Sequence, residues 1–164
     1  MTPQQEYSNL YHRMAELSRE QGWGDPFSYA RSKEILAANC LGHSVAPTLS
    51  GADAYNSSGE PLEYKSTIGK KIKGSYTGIS VQETWEEQVR YLVEDKIGNY
   101  PEHYYNRFEN GALVESWMLP GTKVLELLLP KLRAKFDTVL EKKDPRLSAD
   151  ITNKEILTYG TRVL

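Results

Sequence analysis

The stretch Gly51–Lys65, GADAYNSSGEPLEYK, constrains this chain more than any other. Asn56-Ser-Ser-Gly59 is a turn by composition, because Asn and Ser side chains bond the nearby backbone and Gly tolerates positive φ. On either side of it, Ala52–Tyr55 and Pro61–Thr67 read as short strands. A strand period of two puts Glu63 and Lys65 on one face and turns Tyr64 to the other. Asp53, near the end of the preceding strand, then meets Glu63 at the edge of a sheet.

Two carboxylates beside a lysine suit the hydrolysis of a phosphodiester. Asp53, Glu63, the main-chain carbonyl of Tyr64 and a phosphate oxygen form a hard oxygen set for Mg²⁺. Such an ion neutralises charge building on the phosphate and makes a bound water more acidic. Lys65 would orient that water and offset transition-state charge. The same residues also suit a plain solvated edge, with Asp53 capping a turn and Glu63–Lys65 a surface pair. Glu34 is a further candidate ligand, at the border of the packed helix face that Ala30, Ile35, Ala38 and Leu41 define. Its other reading is a helix-surface residue paired with a nearby Lys or Arg.

Directly after this segment comes a basic block, Lys70, Lys71 and Lys73, mixed with glycines and hydroxyls. Lysines and Ser/Thr hydroxyls suit phosphate, and glycines let backbone N–H groups approach it. The expected DNA contacts are Lys70, Lys71 and Lys73 on phosphates and Ser75, Tyr76, Thr77 and Ser80 further in, with Tyr76 and Thr77 nearest the bases. A solvated polar loop is the alternative. Ser148–Asn153 is a second expected contributor.

Composition bounds these readings. The 164 residues suit one domain, 1–164, with 39% apolar and 26% charged residues, as in an ordinary globular chain. No run approaches the ~18 apolar residues of a membrane span, and no secretory signal is visible. The single cysteine, Cys40, excludes an intrachain disulfide and a cysteine zinc site, fits a reducing cytoplasm, and in AANCL is expected to be a buried small hydrophobe. The net charge of −2 weighs mildly against a nucleic-acid partner. Carboxylates that face a ligand through a cation soften that objection, as does the local basic block.

Helices are expected over 4–20, from Asp25-Pro26 to Leu41, over Val81–Asp95 and over Thr122–Glu141, the last kinked or divided at Pro130. Glu109-Asn-Gly111 between Tyr104–Phe108 and Ala112–Met118 is a hairpin signal, since Asn-Gly supplies the positive φ angles of a type I′ turn. Lys70–Tyr76 is expected as a loop or irregular strand, and Ile151–Leu164 as mixed loop and terminal strand. The alternation of helices and short strands gives an α/β or α+β domain. In the first helix, residues 1–22, a stripe of Leu10, Met14 and Leu17 with Tyr7 and Tyr11 offers a surface for a second copy or for the chain's own core.

GADAYNSSGEPLEYKS, followed eight residues past Lys65 by Lys73-Gly74, resembles the catalytic segment of the Type II restriction endonucleases of the PD-(D/E)xK superfamily, in particular its small, blunt-cutting Pvu-type members. ENGALVESWMLPGTKVLE resembles their late hairpin and following helix, and Tyr159-Gly-Thr-Arg-Val163 their closing strand. The resemblance implies a restriction-endonuclease-like α/β fold with a central mixed sheet flanked by helices. It implies Asp53 and Glu63 as metal-binding carboxylates and Lys65 as the catalytic lysine. It also implies Mg²⁺ dependence, N-terminal helical dimerisation in a cytoplasmic homodimer, and cleavage of both strands of a palindromic double-stranded DNA site to leave 5′-phosphates. The chain departs from the family in having Ala52 before Asp53. It also has Gly78-Ile79-Ser80 where the Pvu-type enzymes carry base-reading histidines, which implies a different target or none that is stringent. A structure-selective or nicking nuclease of the same fold and a non-catalytic DNA-binding protein are the competing readings.

Overall fold

The computed structural model describes residues 1–48 and 51–164. Its frame is a sheet in the order β1 (Ser44–Val45), β2 (Ala54–Tyr55), β3 (Pro61–Thr67), β5 (Glu102–Glu109), β6 (Ala112–Pro120) and β8 (Thr161–Arg162). β3 and β5 run parallel and every other pairing is antiparallel, so the sheet is mixed. A separate antiparallel pair, β4 (Gly74–Ser80) with β7 (Arg146–Ile151), packs over one face. The helices are α1 (Pro3–Gln21), α2 (Arg31–Leu41), α3 (Trp85–Tyr91) continued by a π-helical turn (Leu92–Lys96), α4 (Gly121–Leu140) and α5 (Asn153–Tyr159). The class is α/β, a six-stranded mixed sheet flanked by helices.

Each face of the sheet has its own core. On one, Val124, Leu128, Leu132 and Phe136 recur every four residues along α4 and bury against Leu119, Tyr105, Ile151 and Ile79. Each fully buried leucine there contributes about 2 kcal/mol. Pro130 lies inside α4, which continues through it as one helix held by that stripe. On the other face, the small side chains of Ala37 and Ala38 let α2 sit close to Leu62, Tyr64, Tyr104 and Phe108.

Several local signals act as expected. Gly22 and Gly42 end α1 and α2 at φ 72° and 73°. The hairpin turn has Asn110 at φ 49° and Gly111 at φ 81°, both positive as a type I′ turn requires. Four expectations need correction. First, α2 begins at Arg31 and not at Asp25-Pro26. The Asp25 side chain accepts from Phe27 N–H and Ser28 Oγ, which closes a tight turn, and Tyr29 at φ 51° interrupts any helix there. Second, Cys40 is exposed, because the inward side of α2 is Arg31, Ala37 and Ala38 and Cys40 falls on its flank. Third, residues 81–84 lead into α3 by way of a capping box, Thr84 with Glu87, so the helix starts at Trp85. Fourth, Ile151–Leu164 has its terminal strand, β8, but the stretch before it is the helix α5, capped by Thr152 and Glu155, and not a loop.

α1 stands apart. Of its nineteen residues only Ser18 is buried, and Tyr7, Leu10, Met14 and Leu17 are 72, 59, 46 and 38% exposed. The stripe therefore does not pack on the chain's own core.

Candidate active site

β2 is joined to β3 by the Asn56–Gly59 turn, whose Asn56 Oδ1 accepts from Ser58 and Glu60 N–H. This pairs Ala54 with Leu62 and brings Asp53 to the amide beyond: Asp53 N–H donates to the Leu62 carbonyl, and Tyr64 N–H donates to Asp53 Oδ2 at 2.7 Å. In a strand one residue's N–H and C=O face the same edge, so the Tyr64 carbonyl also faces the Asp53 edge. Glu63 and Lys65 share the opposite side of the pleat from Tyr64, as their spacing predicts. Lys65 Nζ donates to Glu63 Oε1 at 2.6 Å, and both side chains are about one-fifth exposed, at 23 and 19%.

Asp53, Glu63 and Lys65 line one hollow of about 260 Å³ with Tyr76, Thr77, Gly78, Lys96, Tyr100 and His103. A second hollow, of about 470 Å³, meets it at Asp53 and is walled by Arg31, Glu34 and Tyr29. A larger one, of about 760 Å³, lies away from this chemistry, between α1, α2 and the β5–β6 turn. Burial, then the negative charges of Glu63 and Glu34, push the Asp53 carboxyl up to about 7, against the opposing pull of the Tyr64 N–H and Lys65. Oxygen donors that crowd negative charge in this way suit a hard divalent cation, which Asp53 and Glu63 would hold with the Tyr64 carbonyl. Among the described residues no three His, Cys, Asp or Glu side chains form a ready-made cage. Glu34 illustrates why. It is on the inner side of α2 and its charge reaches Asp53, yet its Oε2 is taken by Arg31 Nη1 at 3.1 Å. Arg31 is itself buried and anchored on the Trp23 and Ala46 carbonyls.

The basic run behaves as two parts. Lys70, Lys71 and Lys73 are exposed around the loop, while Gly74, Tyr76 and Ile79 of β4 point inward. That inward set changes its spacing from two to three because Thr77 and Gly78 together oppose Ser148 alone, a bulge with Gly78 at φ 65°. Thr77 and Gly78 consequently face outward at the rim of the hollow, and Ser80 is tied to Arg146 Nη1 at 2.9 Å. Ser75 is half-buried. Tyr76 sits elsewhere than a base-reading residue would: it is 6% exposed and its hydroxyl is bonded to His103 Nδ1 and Tyr105 Oη, each at 2.8 Å. In Ser148–Asn153, Ala149 and Ile151 are core, and the Ser148 and Asp150 carbonyls accept from Lys135 and Lys131 of α4.

Lys96, Tyr100 and His103 carry no local signal in the sequence. The π-helical turn delivers them. Ile97 and Gly98 N–H both reach back to the Leu92 carbonyl, and a Cβ on Gly98 would meet the Val93 carbonyl oxygen at 2.1 Å. The turn aims Lys96 into the hollow and the Ile97 carbonyl at His103 Nε2, 3.0 Å away. A carbonyl only accepts, so Nε2 carries the proton. Burial holds the His103 pKa down to about 4, so the ring is neutral and Nδ1 accepts from Tyr76. Tyr100 Oη donates to the Gly51 carbonyl at 2.6 Å, which steadies the approach to Asp53. Its own phenol is pushed up to about 12 by burial and by Glu63 and Asp53.

No family model matches the chain, and no match is found among curated proteins. Among the described residues no helix is long and apolar enough to cross a membrane.

Proposed function

We propose that this chain is a Mg²⁺-dependent endonuclease that cleaves double-stranded DNA, of the restriction type that the Gly51–Lys65 segment resembles. The observation that carries the reading is the convergence of Asp53, Glu63 and Lys65 in one hollow, with the Lys65 ammonium 2.6 Å from Glu63 and the Asp53 carboxyl raised by burial and then by two neighbouring carboxylates. Asp53, Glu63 and the Tyr64 carbonyl would hold Mg²⁺, whose chemistry there is Lewis-acid neutralisation of the phosphate and a more acidic water. Lys65 directs the attacking water at phosphorus and offsets the charge of the transition state. As the water oxygen bonds to phosphorus and gives up a proton to solvent, the bond to the 3′ oxygen breaks opposite it and that oxygen takes up a proton from solvent, leaving a 5′-phosphate and a 3′-hydroxyl. Lys70, Lys71 and Lys73 anchor the backbone from the loop and Lys96 from across the hollow. With Tyr76 turned inward, Thr77 and Ser75 are the side chains of β4 left to approach the bases.

A double-strand cut needs two such sites, and a symmetric pair of chains supplies them. The exposed stripe of Tyr7, Leu10, Met14 and Leu17, beside Tyr11 stacked on Phe27, is the surface we assign to that pairing. Sedimentation at micromolar protein should give twice the 18.6 kDa chain mass. A lone 18.6 kDa species with and without DNA rejects the dimer.

The functional test is supercoiled plasmid with Mg²⁺. Discrete linear fragments are expected, abolished by EDTA and reduced about 10³-fold or more by Asp53→Ala or Lys65→Ala. Nicked circles alone would move the reading to a nicking or structure-selective relative. Plasmid left intact across a range of salts, or full activity in either variant, overturns it.

A further inference from the structure

We propose that Tyr76, locked by His103 and Tyr105, is a positioning residue that holds the Lys65 ammonium against its ring and takes no part in reading DNA. Its kinetic consequence rests on the nuclease reading, whereas its geometry does not. Lys65 is a long side chain on a strand, and its ammonium could swing to solvent. Two contacts prevent this: Glu63 Oε1 at 2.6 Å, and the face of Tyr76, whose ring centroid is 4.6 Å from Nζ. These contacts differ in one respect. When Glu63 turns its oxygens to another cation, the ion pair loosens, whereas the ring keeps its quadrupole facing Lys65.

The ring is itself immobile. Its hydroxyl donates to His103 Nδ1 and accepts from Tyr105 Oη, so rotation would orphan three buried polar groups at once. His103 is fixed in turn by the Ile97 carbonyl. Gly74, two residues before Tyr76, lets β4 descend this far. A Cβ there would lie 2.2 Å from Tyr105 Cε1 and 3.4 Å from Lys65 Cγ. His103 and Tyr105 stand opposite Glu63 and Lys65 in the parallel β3–β5 register, so the supporting pair and the supported pair share one face.

The test uses the whole chain in two arms. In the first, the Lys65 ε-methylene resonance of ¹³C-lysine-labelled protein, assigned by Lys65→Arg, is expected upfield of the other lysines from the Tyr76 ring current. It should stay there in Tyr76→Phe and return to an ordinary position in Tyr76→Leu. In the second, single-turnover cleavage should fall about tenfold in Tyr76→Leu and less in Tyr76→Phe, with DNA affinity in Ca²⁺ unchanged in both. An unshifted Lys65 in the wild type, a wild-type cleavage rate in Tyr76→Leu, or a loss of DNA affinity that tracks the rate overturns the proposal. If the wild type does not cleave, the nuclease reading falls and the spectrum alone decides where Lys65 rests. If Tyr76→Leu does not fold, the wild-type spectrum and the Tyr76→Phe rate decide.

Discussion

The two faces of β3 carry the same pair of residue types for different ends. Beneath the candidate site, His103 Nδ1 accepts from Tyr76 Oη at 2.8 Å, and both residues are sealed. On the opposite face, His43 Nδ1 lies 2.6 Å from Tyr64 Oη, at a half-open rim where α2 runs into β1. Burial lowers the pKa of both histidines, that of His103 to about 4, and a carboxylate opposes it in each case, Glu63 for His103 and Glu102 for His43. The His43 pair fastens a helix to a sheet. The His103 pair supports a wall against which charged groups are arranged. A hydrogen bond of the same kind is thus a fastening on one face and a foundation on the other, and burial is what separates them.

Removing each histidine gives the largest contrast. His103→Ala is expected to cost about 3 kcal/mol, because it takes one partner each from the buried Tyr76 hydroxyl and the Ile97 carbonyl and opens a cavity where a fully buried ring stood. His43→Ala should cost about 1 kcal/mol, since water can replace it at the rim. Urea titration measures both. Equal losses would mean that the two pairs are energetically alike.

The pH dependence sharpens the contrast further, and the signs oppose. An unfolded histidine titrates near 6.5 and folded His103 near 4, so between those values the unfolded chain binds a proton that the fold excludes. That contribution is complete above about 6.5 and is lost as pH falls towards 4. For Asp53 the ordinary value is 3.8 and the folded value about 7, so the fold retains a proton that the unfolded chain releases. Its contribution is complete below about 3.8 and is lost as pH rises through about 7. In EDTA the two largely cancel in the wild type. Asp53→Asn should therefore melt several degrees higher at neutral pH, with a melting temperature that climbs from pH 4 to 6.5. Melting curves for wild type and Asp53→Asn that run parallel with pH would show that Asp53 is not held protonated.

The smallest effect separates the rim of the site face from its centre. Lys71→Ala should weaken binding to all DNA sequences alike and lower the salt slope by about 1. Thr77→Ala should instead alter preference among sequences. A uniform loss of affinity from both would remove Thr77 as a reader.

Much of this was legible in the sequence because it is local. The Asn56–Gly59 turn, the Glu63–Lys65 alternation and the Asn110-Gly111 turn each depend on a few adjacent residues. The start of α2 is not legible because Asp25-Pro26 has the chemistry of a helix cap, and only the structure, with Asp25 bonded to Phe27 and Ser28 and Tyr29 at φ 51°, shows that it closes a turn. β7 is hidden in the sequence because the polar residues of Ser148–Asn153 suggest a DNA-facing segment, although Leu147, Ala149 and Ile151 alternate with Ser148 and Asp150 into the core. Tyr76 looked like an aromatic in an exposed polar run, and only the Thr77-Gly78 bulge makes clear which residues of β4 face in. His103 could not be paired with Glu63 from the sequence, since that neighbourhood exists only through the β3–β5 register, and Lys96 reaches the hollow only by way of the π-helical turn.

The parallel pairing of β3 with β5 also has a consequence in time. Parallel neighbours cannot be joined by a tight turn, so the stretch 68–101, with β4, α3 and the π-helical turn, must cross over before Glu63 finds His103. Contacts so distant in sequence form slowly, because the entropy of closing the loop is lost before the pairing rewards it. The turn between β2 and β3 can bring Asp53 to Glu63 early, while Lys65 still lacks the wall formed by Tyr76. A folding chain is thus expected to bring its acidic pair together before its lysine is set in place, an order that pulse-labelled refolding would check.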